Sequence, residues 1–276
     1  MNPLVQLVLG VILGGAMAAG GYWRGALSRS GAGAAAVVGA VIFGLGGWAW
    51  GVLLVAFFVA SSALSLYSPR RKTEVAAEKF EKGSRRDWAQ VVANGGWATI
   101  LALLMWQRPT PWLFPALIGA LATVTADTWA TELGTLSQQP PRLVTNWRVV
   151  PPGTSGGVTT LGTMAALVGG LFIGTLAYTL ALFGGAPRLL VNPLWLITLG
   201  GFSGLVGAFT DSLLGATVQR INFCPRCQVE TERAVHRCGT VTHPLRGWSW
   251  MDNDMVNFLA SVAGSVVAVW LALLVA

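Results

Sequence analysis

The sequence predicts an all-α membrane protein, a polytopic bundle of about eight transmembrane helices carrying a small Cys/His loop. Only 11% of its 276 residues are charged and 54% are hydrophobic, whereas a soluble domain carries about a quarter charged residues to cover its surface. Apolar runs recur at the length that a ~30 Å hydrocarbon core demands, roughly 20 residues each. The 13 tryptophans and 35 glycines suit interfacial belts and close helix crossings. The chain reads as a single integral membrane domain over residues 1–276. One loop, 219–253, is long enough to fold on itself, as a cytoplasmic loop with a possible zinc knuckle.

The candidate spans are 3–21, 32–47, 49–67, 88–106, 111–132, 157–183, 193–218 and 255–275. The first lacks a basic segment ahead of it, so it is expected to remain as a helix rather than be cleaved as a signal. Residues 32–67 are continuous apart from Gly46-Gly47. One helix would be far too long, and two make a tight hairpin.

Charge separates those two choices. With eight spans and an external N-terminus, all but two of the 18 basic residues fall in inner loops, the exceptions being Arg108 and Arg188. A single span over 32–67 would reverse every later loop and destroy that asymmetry. The positive-inside rule thus selects helix number and direction together. It puts the protein in the plasma (inner) membrane with both termini external and its furnished face cytoplasmic. All 11 acids also sit in inner loops or at inner helix ends, which the rule does not require. One chemically rich face opposite a bare one suits an enzyme or receptor better than a conduit. The net charge of +7 follows from the same bias and needs no nucleic-acid partner.

Asp127 and Glu132 close the fifth span in Ala126-Asp-Thr-Trp-Ala-Thr-Glu-Leu-Gly134, with Thr131 between them. Asp211 and Ser212 lie toward the inner end of the seventh. A carboxylate within an apolar helix costs about 2.5–3.5 kcal/mol on insertion scales and usually marks a site. The plainer alternative is a carboxylate that reaches water or pairs with an arginine, above all for Glu132. The segments ending at Asp127 and Asp211 resemble each other weakly, and their helices run in the same direction.

Between Arg148 and the sixth span lies a proline turn followed by Gly153, Thr154, Ser155, Gly156 and Gly157. Small residues before a helix N-terminus let backbone N–H groups and the helix dipole approach a phosphate. The segment lacks the Gly-Lys-Ser/Thr ending of a Walker A loop, and a capped helix after a turn is the simpler reading. The Ser68–Asp87 loop carries seven basic and four acidic residues, as a solvated helix or a band for anionic lipids would. Asp87, Gln90 and Asn94 recur at helical spacing as one polar stripe, with Arg85 and Arg86 just ahead.

Asp252, Asn253, Asp254 and Asn257 open the eighth span. N-capping accounts for one of them. Asp254 and Asn257 are left as candidate ligands for Mg²⁺, which prefers carboxylate and phosphate oxygens. The three cysteines, Cys224-x2-Cys227 and Cys238, could complete a tetrahedral Zn²⁺ site with His243 as fourth ligand, His236 being the alternative. A cytoplasmic position argues against a disulfide. Zinc there would clamp the loop near Asp252 without entering the chemistry.

Five blocks, Gly83–Gly95, Ala126–Gly134, Gly153–Gly157, Asp211–Thr217 and Leu245–Asn257, carry a resemblance over nearly the whole chain in matching order. They resemble the family once called domain of unknown function 92, which includes transmembrane protein 19 and the plant phytyl-phosphate kinase. The plant members are similar to kinases that convert phytyl phosphate to phytyl diphosphate with a nucleoside triphosphate. The family also looks distantly related to polyprenol kinases and phosphatidate cytidylyltransferases, which use CTP and Mg²⁺.

The resemblance implies a prenyl-phosphate kinase whose partners are an isoprenyl phosphate lipid, CTP or ATP, and the surrounding membrane lipids. Asp127, Asp211 and Asp254, with Glu132 and Asn257, are then expected to hold Mg²⁺. Arg85, Arg86, Arg148 and the Gly153–Gly157 turn would stabilise the transferring charge, and Asp87, Asn94, Thr131 and Ser212 would line the phosphate site. A phosphate monoester is largely dianionic at neutral pH, its second pKa being about 6, so no strong general base is required. The alternatives are a CTP-dependent polyprenol kinase or cytidylyltransferase, a lipid-phosphate transporter, and a non-catalytic adaptor.

Overall fold

The structure, a computed structural model, describes residues 3–67, 85–186 and 191–276. The basic and acidic loop over 68–84, and Arg188, lie outside the described residues. Among the described residues, eight helices are long and apolar enough to cross a membrane. They are α1 (Pro3–Trp23), α2 (Arg29–Val41, continued by a π-helical turn, Ile42–Gly46), α3 (Trp48–Leu66), α4 (Trp88–Gln107), α5 (Leu113–Gly134), α6 (Thr160–Leu182), α7 (Trp195–Thr217) and α8 (Asn253–Leu274). Exposed tryptophans at helix ends, among them Trp23, Trp48, Trp88, Trp106 and Trp195, suit an interfacial belt.

Local chemistry sets the boundaries. The hairpin expected within 32–67 forms at Gly47, whose φ of +97° is open to glycine and resisted by a side chain. Helix α2 starts at Arg29, three residues before the expected span, because Ser28 Oγ accepts from Gly31 N (3.1 Å). Helix α6 starts at Thr160 rather than 157. Gly157–Val158 (β2) instead pair antiparallel with Arg142–Leu143 (β1), and Thr159 Oγ1 caps the helix by accepting from Gly162 N. Asp252 caps α8, taking Met255 N at 2.9 Å.

Helix α5 is the axis of the bundle, buried at every residue from Phe114 to Ala126. Parallel to it runs α7: Thr123 Oγ1 reaches Ser203 O (3.4 Å), and a methyl group added at Gly207 would overlap the Thr123 side chain. Helices α6 and α8 run antiparallel to α5. Gly169 lies on Ala126 and Gly162 on Ala130, while Ser265 Oγ donates to Ala116 O (2.7 Å). Small residues at these crossings let backbones meet, as membrane helix packing requires.

The alternation brings the C-terminal ends of α3, α5 and α7 together with the N-terminal ends of α4, α6 and α8. Every acidic residue among the described ones lies at this end. Between α7 and α8 the chain folds into a three-stranded antiparallel sheet, order β4-β3-β5, from Ile221–Cys224 (β3), Val229–Thr231 (β4) and His243–Arg246 (β5). This lobe is tied to the bundle. Arg246 donates from NH1 to Gly215 O at 2.8 Å, Arg220 N to Met251 O at 2.7 Å and Trp248 N to Val218 O at 2.9 Å.

Candidate active site

The α5–α7 crossing aligns two carboxylates. Asp127 lies four residues beyond Thr123, and Asp211 four beyond Gly207. On two parallel helices in contact, four residues at 1.5 Å each carry both about 6 Å toward the same end. Asp211 lines the same cavity as Asp127 and Glu232. Its Oδ2 is buried and has no hydrogen-bond partner. A buried carboxylate oxygen left unmatched is costly, and a bound cation is its natural complement.

Both carboxylates open into a cavity of about 590 Å³ whose wall also includes Thr131, Glu132 and Ser212. From α4 come Gln90 and Asn94, from α8 Asp254 and Asn257, and from the loop before α6 the run Gly153–Gly157. Glu132 Oε1 accepts from Ser65 Oγ at 2.5 Å. Arg86 lines the same cavity at only 9% exposure. It donates from Nη1 to Ser62 Oγ (2.8 Å) and stacks near the Phe57 and Phe58 rings, 5.9 and 5.7 Å away. Burial pushes the Arg86 guanidinium below its ordinary pKa, and the Glu132 charge opposes that shift.

The glycine turn is pressed onto the end of α7. Gly156 has φ +82°, and a methyl group there would come within 2.5 Å of Ala216. Ser155 Oγ donates to Gln219 Oε1 (2.5 Å), and Gln219 Nε2 donates to Glu232 Oε1 (2.9 Å). Thr154 Oγ1 donates to Pro151 O (2.7 Å).

Several expected members stand elsewhere. Arg148 lies exposed in the turn that follows β1, after Trp147 at φ +59°, and is not in the cavity wall. Arg85 donates from Nε to Leu27 O (3.2 Å) and covers the Tyr22 ring, so it braces α1 and α2. Asp87 serves as N-cap of α4 in a reciprocal capping box with Gln90. Only the Gln90 and Asn94 part of the polar stripe reaches the cavity. The Gly153–Gly157 turn does not run straight into a helix N-terminus, since β2 and the Thr159 cap intervene.

Sequence reasoning missed Gln219, Glu232 and Arg233 as cavity residues. They arrive on the sheet lobe, folded back over the end of α7, and carry no local signal. Gln90 was legible from its spacing alone.

Cys224, Cys227, His236 and Cys238 form a cluster that could hold a metal, their ligand atoms all within 4.8 Å of one another. His243 is not a member, which corrects the preference drawn from the sequence. It pairs directly with Phe223 across β3 and β5. It therefore shares the sheet face of Phe223, opposite that of the adjacent Cys224. His236, 2% exposed, takes the place. Contacts with Thr240 and His236 draw the Cys238 thiol down to about 5, while its neighbour Cys238 pushes Cys227 up to about 11.

The fold and cavity define a class: a polytopic helical membrane protein with carboxylates, an arginine and a glycine turn gathered at one end. The chain belongs to the family described as Integral membrane protein DUF92, which matches residues 12–265. It is 33% identical to Protein PGR of Arabidopsis thaliana over 98% of this chain and 99% of that protein. An uncharacterized membrane protein of Methanocaldococcus jannaschii is 25% identical, over 98% of this chain and 95% of its own length. Protein VTE6, chloroplastic, of Arabidopsis thaliana is 24% identical over 88% of this chain and 64% of that protein. No solved structure matches the chain.

Proposed function

We propose that the protein is a prenyl-phosphate kinase. It transfers the terminal phosphoryl group of a nucleoside triphosphate to an isoprenyl monophosphate, of phytyl or geranylgeranyl type, at the cytoplasmic face of the membrane. One observation carries this: Asp127, Asp211 and Asp254 converge with Arg86 and the Gly153–Gly157 turn on one cavity. The resemblance to the plant phytyl-phosphate kinases supplies the substrate class.

Asp127, Asp211, Asp254 and Asn257 offer the oxygen donors that Mg²⁺ prefers, and the unmatched Asp211 Oδ2 fits a cation. Held by these residues, Mg²⁺ supplies neutralisation of triphosphate charge. Arg86, held by Ser62 and the Phe57 and Phe58 rings, presents a fixed positive charge to the transferring group. Thr154 and Ser155 already give their hydroxyl protons to Pro151 and Gln219, and Thr154 N and Gly157 N are bonded within the turn, so the turn serves through the N–H groups of Gly153, Ser155 and Gly156. Leu205, Ala208 and Phe209 in the same wall give the first isoprene units an apolar surface. The acceptor, already a phosphate anion, is oriented for attack rather than deprotonated. Positioning and charge stabilisation of this kind carry most phosphoryl-transfer catalysis.

The test uses purified protein in detergent with phytyl or geranylgeranyl phosphate, Mg²⁺, and CTP or ATP labelled at the α- or γ-phosphate. Label from the γ-phosphate is expected in a prenyl diphosphate, and α-label on the lipid would indicate nucleotidyl transfer instead. Asp127→Asn and Asp211→Asn should each lower turnover about 10²–10³-fold, the usual cost of losing one electrostatic contact to the transition state, with thermal unfolding retained. Absence of diphosphate across chain lengths and nucleotides rejects the proposal.

A further inference from the structure

The geometry points to a Zn²⁺ site formed by Cys224, Cys227, His236 and Cys238 that braces one wall of the reaction cavity. The distances suit the ion. A tetrahedral site with Zn–S of about 2.3 Å has S···S edges of about 3.8 Å, and Cys224 Sγ lies 3.7 Å from Cys238 Sγ. That separation is far beyond the ~2.05 Å of a disulfide. His236 Nδ1 lies 3.3 Å from Cys238 Sγ, near the mixed N···S edge of about 3.5 Å that Zn–N and Zn–S bond lengths imply.

Two turns build the cluster. Gln228 N donates to Cys224 O (2.9 Å) with Gln228 at φ +56°, closing the Cys-x2-Cys pair. Gly239 N donates to His236 O (2.8 Å) with Gly239 at φ +80°, closing the His-x-Cys pair. His236 is nearly fully buried, and its Nε2 has no partner, so the imidazole has no bond outside the cluster to explain its position. Three thiols and an imidazole are soft donors that favour zinc over the hard Mg²⁺ expected among the carboxylates.

The bracing rests on the kinase reading of the cavity; the binding of zinc does not. Strand β4 leaves the cluster and delivers Glu232 and Arg233 to the cavity wall. Asn222 Nδ2 holds Glu232 O (3.2 Å), and Thr242 Oγ1 donates to Arg233 O (2.6 Å). Glu232 accepts from Gln219, which accepts from Ser155 in the glycine turn. A continuous path of hydrogen bonds therefore runs from the metal lobe to the turn that faces the phosphates. Metal binding at such a site is folding free energy for the lobe.

The experiment measures metal content of the full chain, purified in detergent after growth with zinc, by mass spectrometry. Wild type and His243→Ala should hold one zinc per chain, and Cys224→Ser, Cys227→Ser and His236→Ala should hold almost none. Cobalt exchanged into wild type should show thiolate charge-transfer and intense tetrahedral d–d bands. Metal-free wild type, iron in place of zinc, or loss of zinc from His243→Ala with retention in His236→Ala would each overturn the site. Hydrogen exchange reads the bracing without any turnover. Removing zinc should speed exchange over 219–246, and over 150–158 by about tenfold, as loss of a local anchor does. Unchanged protection over 150–158 would overturn the bracing while leaving the kinase proposal standing.

Discussion

Replacing Gly156 by alanine should displace the glycine turn and uncouple it from the end of α7. Two costs add. Holding a non-glycine residue at φ +82° costs about 1–2 kcal/mol. The new methyl would stand 2.5 Å from Ala216 Cβ and 2.7 Å from Ala216 Cα and N, and overpacking of this kind costs about 1–3 kcal/mol. Together, about 2–5 kcal/mol weighs against the native turn, so its population falls at least about 30-fold at one decade per 1.36 kcal/mol. The turn has room to move toward the cavity, so the loss should appear in kcat/KM more than in global unfolding. Gly184→Ala is the control. That glycine also has positive φ, +75°, but an added methyl meets nothing within 4 Å. The assay is kcat/KM for prenyl phosphate in detergent, paired with thermal unfolding of both variants. A Gly156→Ala protein with turnover equal to that of Gly184→Ala would refute the role given to the turn.

Two other expectations follow from the same geometry. Arg86→Met removes a buried charge that attracts Glu132 and should cost about 1–3 kcal/mol, below the ~3–5 kcal/mol of a fully buried pair because Glu132 is half-exposed. The double variant Arg86→Met, Glu132→Gln should recover part of that loss in thermal unfolding, and a single variant as stable as wild type would contradict the pairing. A cysteine placed at the exposed Arg108 or Arg148 of a chain that keeps Cys224, Cys227 and Cys238 reports sidedness in intact cells by the label it adds over the parent chain. An impermeant maleimide should label position 108 from outside and position 148 only after lysis, and the reverse pattern would invert the proposed orientation.

Much of the fold was legible because hydrophobic length and loop charge are local quantities. A helix that spans the bilayer must be long and apolar, and the Arg and Lys counts chose between one span and two over 32–67. The place of Asp127 and Asp211 in the cavity wall was legible for a related reason: a carboxylate in an apolar helix is costly unless it meets a polar surrounding. What the residues alone could not separate was capping from function. Asp87 looks like a site residue because a cap and a ligand use the same side chains, and only its bond from Gln90 N and its place outside the cavity wall distinguish it, whereas Asp252 caps α8 from within that wall. Arg148 was credited for its nearness in sequence to the glycine turn, yet the turn after β1 leaves it exposed and outside the cavity wall.

The histidine choice depended on strand register. His243 and His236 are both plausible by spacing, but pairing with Phe223 puts His243 on the wrong sheet face. Gln219 and Glu232 escaped notice because the path from Glu232 through Gln219 to Ser155 exists only once the lobe folds back over α7.

The most direct measurement is anomalous diffraction from crystals grown with Mn²⁺ in place of Mg²⁺, a non-hydrolysable nucleoside triphosphate analogue and a prenyl phosphate. Manganese is expected between the carboxylates of Asp127 and Asp211, with triphosphate oxygens against Gly153–Gly157 and the prenyl chain along Leu205 and Phe209. Manganese bound away from both aspartates, or nucleotide at the opposite end of the bundle, would contradict a shared phosphate pocket.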